Sequence, residues 1–467
     1  MTRAELDSLS REDLIALVLA QAEEMAALQA TMSQLQADYA ALRLKFEKGK
    51  PPPTTSSNSS QPPSRDQKPN LPPPHAKRKH GPPAGHAKHA RQFVAEPDHV
   101  VEVKAERCAR CAADLHCQAG ELIDVNQITE VPPAQAEVIE VRQYAVTCPE
   151  CGQTEITQPP PGLEMTRSFG ARLEGLVVYY RQEQHMSYER TQTALWNLHG
   201  VAISQGGIDQ IMQRAGQRAV AATQPLQQAV RASTVVNSDE TSARVDGRNW
   251  WEWVFCTATA VLHVIKPSRG ADVIQAVMGT QDAEVWGSDC WSAQLKAPAQ
   301  GWQLCLAHQL RNLQAVVDRY PALFWAPALQ ALFRYAIHVH HQRDQLSAAQ
   351  FAAQVARIAK LCDWLLLRPV TQPEALRLQL RYRKHRQHLS VFLERTDVAP
   401  TNNVSERALR ASVVHRKVSG GFRSQWGAEA YAALASIIDT AALKGTKAFE
   451  ALQSLLGPPA LPISATL

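Results

Sequence analysis

Long apolar runs are missing from this 467-residue chain. No stretch approaches the ~20 uncharged apolar residues that a bilayer span requires. The opening residues, Met1-Thr2-Arg3-Ala4-Glu5, lead into acidic, amphipathic sequence, so a secretory leader is not expected. Both absences argue against a membrane or secreted protein. A disulfide framework is also excluded, because nine cysteines is an odd number and the chain is long for one. Four of the nine form two Cys-x-x-Cys pairs, which points to metal in a reducing compartment. Excess charge of one sign is small, +5 from 49 basic and 44 acidic residues. Residues 75–92 carry Lys77, Arg78, Lys79, Lys88 and Arg91 with no acid, so one short arm accounts for all of it. What remains is 45% hydrophobic, enough to bury cores in about three domains.

Residues 1–48 predict a leucine-rich coiled-coil helix. Ser10 and Asp13 suit a helix start. Val18, Met25, Met32, Tyr39 and Phe46 form one seven-residue row, and Leu14, Leu28, Leu35 and Leu42 form the other, with Gln21 as its polar member. Self-association through this seam is expected, against the alternative of a helix packed on its own domain. Residues 49–92 hold eleven of the 29 prolines and predict a disordered linker ending in the basic arm. A flexible cationic segment gains affinity for phosphate backbones by counterion release, so Lys77, Arg78, Lys79 and Lys88 are candidate DNA contacts. In residues 93–160, Cys108-Ala-Arg-Cys111 and Cys148-Pro-Glu-Cys151 give the four thiolates of a closed structural zinc site, a zinc ribbon with strand over Val138–Val146. Cys117 is a spare that could compete as a ligand.

Residues 161–230 read as a helical DNA-binding region. Ile203-Ser204-Gln205-Gly206-Gly207-Ile208 suits either a helix-turn-helix or a plain helical hairpin. From Thr234 the pattern becomes α/β over residues 231–309. Strands are predicted at Thr234–Asp239, Trp250–Cys256, Ala260–Ile265 and Glu284–Asp289, with a fifth at Gln303–Leu306, a turn at Asp246-Gly247 and a helix at Ala271–Met278. Two of these strands end in acids, Asp239 and Asp289, whose oxygens are ligands that Mg2+ prefers. Residues 310–395 read as a helical insertion. Residues 396–445 return a third acid, Glu406, and residues 446–467 read as a tail. Across 401–425 Glu406 is the single acid among five bases, Arg407, Arg410, Arg416, Lys417 and Arg423. That pattern makes sense if the acid binds metal and the bases clamp a polyanion.

The motifs Asp239-Glu240-Thr241, Ser288-Asp289, Asn402-Asn403-x-x-Glu406-Arg407-x-Leu409-Arg410 and Arg416-Lys417 stand in one order behind the basic segment and the cysteine pairs. In this the chain resembles transposases of the insertion-sequence-66 type, in the DDE superfamily. The resemblance implies a multidomain α+β protein with an RNase H-like α/β core, an all-α insertion, the zinc module and the N-terminal coiled coil. It implies Asp239, Asp289 and Glu406 as catalytic ligands of two Mg2+ (or Mn2+) ions, beside one structural Zn2+. The activity implied is cleavage of transposon ends and joining of 3′-OH ends to target DNA. The partners implied are end and target DNA, a second copy of the chain and accessory proteins of the same element, in a bacterial cytoplasm at the nucleoid. Arg407, Arg410, Arg416 and Lys417 are candidate phosphate contacts. Cys305-Leu-Ala-His308 resembles a motif that follows the fifth core strand in several DDE groups, which makes His308 a candidate neighbour of the active site. The alternative is a non-catalytic zinc-dependent DNA-binding protein.

Overall fold

The structure, a computed structural model, describes residues 54–59, 91–131 and 134–457. The heptad helix at 1–48 and the basic residues Lys77, Arg78, Lys79 and Lys88 lie outside the described residues. The chain divides into two units, a smaller one of residues 67–138 and 195–201 and a larger one holding the rest. Among the described residues no helix is long and apolar enough to cross a membrane.

The larger unit begins with a short ribbon, β1 (Ala145–Thr147) antiparallel to β2 (Thr154–Ile156). The strand expected over Val138–Val146 is therefore mostly absent. Val138 is 96% exposed, and a β-rich run without a layer to pack against gains nothing from extending. Three helices follow, α1 (Ala171–Gln182), α2 (Tyr188–His199) and α3 (Gln205–Arg231). Gly200 ends α2 in the left-handed region, and Ser204 caps α3 by accepting the Gly207 N–H at 3.0 Å.

The sheet is built from β3 (Val235–Val245), β4 (Arg248–Cys256), β5 (Val261–Lys266), β6 (Ala283–Ser288) and β7 (Ala299–Leu304), with α4 (Ala271–Met278) crossing from β5 to β6. Its order is β5-β4-β3-β6-β7. The first three strands form an antiparallel meander, and β6 and β7 add parallel to β3. Asp246 and Gly247 both take positive φ, 48° and 71°, as a two-residue hairpin turn demands. Gly287 is forced by close approach, since a Cβ there would meet Asn237 Oδ1 at 2.2 Å.

Alternation along the strands gives the sheet two buried faces. One packs Val236, Trp253, Phe255, Leu262 and Trp286 under Ile274 and Met278 of α4. The other carries Ala243, Val245 and Ile265, covered by residues of the final helices. Between β7 and those helices run α5 (Leu306–Arg319), α6 (Trp325–His341), α7 (Ala348–Leu367), α8 (Pro373–Lys384) and α9 (Val391–Glu394), the helical segment expected at 310–395. Their core is continuous with Val285 and Leu304 of the sheet. The chain returns through α10 (Asn403–Ser419) and α11 (Gln425–Leu443) to α12 (Ala448–Leu456). The segment read as a tail thus includes a packed helix, with Leu452 and Leu456 buried and Phe449 edge-on to Tyr179 of α1.

Candidate active site

β3 continues past Asp239 for six residues, to Val245. Alternation places Ser238 and Glu240 on one face and Asp239 and Thr241 on the other. Glu240, only 1% exposed, is taken up by Arg269 Nη2 at 3.0 Å and Gln294 Nε2 at 2.7 Å. Arg269 lies over the rings of Trp251 and Trp291, 4.4 and 4.0 Å from their centroids. Glu240 is a braced structural acid, distinct in role from its neighbour.

The Asp239 carboxyl is pushed well above the usual carboxylate range. Burial is the largest cause, followed by the negative charges of Glu240 and Asp289, with Glu406 adding to them. The Glu240 N–H, 2.9 Å from Asp239 Oδ1, opposes the shift. Asp289 follows β6 directly, and its Oδ1 accepts the Trp291 N–H at 2.8 Å. Glu406 sits in the first turn of α10. Its Oε1 lies 2.9 Å from Arg311 Nη2 and 3.6 Å from His308 Nδ1. Burial and the Arg311 charge push the His308 imidazole down, against the opposing pull of Glu406 and Asp289. Two acids distant in sequence, Asp289 and Glu406, therefore act electrostatically on the Asp239 carboxyl together with its neighbour Glu240. The oxygens of Asp239, Asp289 and Glu406 do not all gather within 4.8 Å. Among the described residues, the ligand atoms that do so belong to Cys305, His308 and Glu406. Burial keeps the Cys305 thiol protonated, and its Sγ accepts the Asn402 N–H at 3.1 Å.

Asn402 explains why α10 starts where it does. It is 1% exposed. Its Nδ2 donates to the Ser238 carbonyl at 2.7 Å, one residue before Asp239, and its Oδ1 accepts Ser405 Oγ at 2.8 Å. With Leu306 N–H donating to Pro400 O at 3.0 Å and Cys305 N–H to Ser288 O at 2.8 Å, the helix start, β3, β6 and β7 are tied at one level. Asn402→Ala leaves the buried Ser238 carbonyl without its donor, a cost of about 1–3 kcal/mol. The expected outcome is a lower melting temperature. An unchanged melting temperature would show that the clamp does not hold the start of α10.

The family model described as Transposase IS66 family matches residues 167–430, from before α1 to within α11. The chain belongs to this family. Among curated proteins none matches.

The matched span of this IS66-family transposase covers all five strands of the sheet and all three acids. Its cations divide into two groups. Arg407, Arg410 and Lys417 are exposed along α10. Arg416, expected with them, turns inward at 12% exposure and meets Glu252 Oε2 at 3.2 Å and Thr241 Oγ1 at 3.3 Å. A buried carboxylate demands a partner, and Arg416 supplies it. Glu252, His263 and Asp439 form the rest of that network, which the sequence reading missed. A histidine inside the apolar run Val261–Ile265 was its one visible sign.

The two cysteine pairs form separate turns of the same design. In one, Cys108 N–H donates to Ala113 O and Ala112 N–H to Cys108 O, both at 2.9 Å. In the other, Cys148 N–H donates to Gln153 O at 2.8 Å and Gly152 N–H to Cys148 O at 2.9 Å. The residue four past each first cysteine takes positive φ, 57° at Ala112 and 74° at Gly152. Backbone N–H groups of Arg110 and Cys111 lower the Cys108 thiol pKa, and those of Cys151 and Glu150 lower that of Cys148. Each turn is thus prepared to carry thiolate.

Proposed function

We propose that this transposase cuts the ends of its element and joins the freed 3′-OH ends to target DNA, using an RNase H-like core. The meander of three antiparallel strands followed by two parallel ones supports that fold. The observation that carries the reading is the Asp239 carboxyl, which is half-buried on the central strand and feels the negative charges of Glu240, Asp289 and Glu406. Such a cluster of negative charge fits a divalent cation, whose charge removes the repulsion. Asp239, Asp289 and Glu406 would hold two Mg2+ (or Mn2+) ions. When bound, these supply a water or 3′-hydroxyl of lowered pKa and stabilise the departing oxygen. The protein's share is positioning. Asn402 fixes the start of α10, and Arg311 holds Glu406 until it is called on as a ligand. Arg407, Arg410 and Lys417 contact backbone phosphates on either side, with Lys77, Arg78, Lys79 and Lys88 of the basic arm adding sequence-independent affinity. The N-terminal heptads pair two copies so that both ends are processed together.

The test is incubation of the full chain with end-labelled DNA carrying the element termini, a target plasmid and Mg2+. Nicked ends bearing 3′-OH and joined products are expected. An absence of both with Mg2+ and with Mn2+ would overturn the reading.

Cys108, Cys111, Cys148 and Cys151 are proposed as ligands of one structural Zn2+. Thiolates favoured by N–H donors in two matching turns support this set. Purified protein should carry one zinc per chain by mass spectrometry of metals, and Cys148→Ser should lose it. Retention of full zinc content by that variant would remove Cys148 from the set.

A further inference from the structure

A cleft of about 580 Å3 opens between the ends of α1 and α2, α10 and the start of α11. Three of its buried polar atoms lack hydrogen-bond partners. His415, 7% exposed, presents an Nδ1 without a hydrogen bond. The same holds for His185 Nδ1 and Arg181 Nε. The Arg181 guanidinium lies over the Tyr188 ring, 4.5 Å from its centroid, and among the described residues it has no carboxylate partner. The one acid in the lining, Asp209, is already occupied by Tyr188 Oη and by Gln213 Nε2, each at 2.8 Å. Burial, Arg181 and His185 together push the His415 imidazole down to about 3. Both imidazoles are therefore neutral, and Arg181 is left as the cation among buried ring nitrogens that have no hydrogen-bond partner.

Two further features favour an anion with an aromatic ring attached. The first turn of α11, capped by Ser424, faces the cleft at Ser424 and Gly427, and a helix N-terminus attracts negative charge. Aromatic walls flank it. His415 lies 4.5 Å from the Tyr431 ring centroid and 5.8 Å from that of Phe422, and Trp426 stands 41% exposed at the rim. The motif Gly420-Gly421-Phe422 fixes this wall. Gly421, at φ 113°, lets the chain approach Arg244 O, where a Cβ would come within 3.0 Å. Phe422 N–H then donates to that carbonyl at 2.8 Å. His185 adds a left-handed backbone at φ 53°, a conformation that carries strain at functional positions.

We propose that this cleft takes one unpaired nucleotide of the DNA strand, with its phosphate against Arg181, His185, His415 and the α11 N-terminus and its base stacked on Trp426. The inference rests on the reading that the chain acts on DNA. His415 is nine residues beyond Glu406 on α10, about 13 Å along the axis. A strand lying along α10 from Glu406 therefore reaches the cleft within a few nucleotides.

The test is fluorescence anisotropy with the full chain, using labelled (dT)12 in one arm and a mixed-sequence 12-bp duplex in the other. Trp426→Ala should weaken (dT)12 binding about tenfold and leave duplex binding within about twofold. Arg181→Gln should lower the salt dependence of binding by about one ion. Arg423→Gln, at the exposed rim of the same cleft and within reach of the phosphate, serves as a second charge variant should Arg181→Gln melt early. Wild-type (dT)12 affinity in Trp426→Ala, or equal losses in both arms, would overturn the unpaired base. An unchanged salt slope in a folded charge variant would overturn the phosphate contact. Wild-type protein that cleaves end DNA separates these failures from failure of the wider reading, and wild-type protein that binds neither probe overturns both.

Discussion

Asp239→Asn is expected to abolish strand cleavage, lowering the rate by at least about 10^3-fold, while leaving the protein more stable in the absence of metal. The first effect follows from the carboxylate's place among three acids. If a cation is held there as proposed, several kcal/mol of transition-state stabilisation depend on it, and about 4 kcal/mol is a factor of 10^3. The second effect follows from the direction of the pKa shift. The Asp239 carboxyl is raised in the folded chain by burial and by Glu240, Asp289 and Glu406. Its ionisation therefore opposes folding. Stability from the protonated form is present below about pH 4, the unfolded value, and falls as the pH rises toward the folded value. Asparagine keeps the shape and removes the charge, so the melting temperature of Asp239→Asn should depend less on pH. Mg2+ or Mn2+ should stabilise the wild type increasingly as the pH rises, because binding competes with the proton, and should not stabilise the variant. Thermal melts with and without metal across pH 5–8, beside cleavage assays, check both halves. A variant that still cleaves at the wild-type rate removes Asp239 from the chemistry.

Much of the sheet was legible because its signals are local. Asp246-Gly247 between two apolar runs specifies a hairpin, and the alternation of Trp251, Trp253 and Phe255 specifies a strand. The start of α10 was legible through Asn402-Asn403-x-x-Glu406, whose first residue ties the helix to β3. β7 was read late, at Gln303–Leu306, and runs over Ala299–Leu304. Its start is weakly apolar, and register against β6 is a tertiary property. Arg416 was read as a phosphate contact because charge on a helix normally faces solvent. Only the fold brings Glu252 of β4 beneath it. The same limit hid Arg311, which meets Glu406 across 95 residues of sequence.

The Glu252 network makes the fold itself sensitive to pH. Glu252 is fully buried and binds Ser412 Oγ, Arg416 at 3.2 Å and His263 Nδ1 at 3.2 Å. The other ring nitrogen of His263 meets Asp439 Oδ2 at 2.9 Å. Four elements, β4, β5, α10 and α11, are thereby joined behind the helix that carries Glu406. Burial alone would lower the His263 pKa. Its hydrogen bonds to Asp439 and Glu252 outweigh that and push it up to about 9. The imidazolium is thus the folded form. A raised histidine contributes stability that is complete below the unfolded value near 6.5 and is lost as the pH climbs through 9. The window of decline is therefore about pH 6.5–9, and the total is roughly 3 kcal/mol. His263→Phe fills the space but strands Glu252 and Asp439 without their shared cation, at a cost of about 3–5 kcal/mol. For a domain of this size that is a fall in melting temperature of roughly 6–20 °C. The variant should also lose the decline between pH 6.5 and 9. A wild type whose stability is flat across that window would show that His263 is neutral in the folded protein and that Arg416 alone balances Glu252.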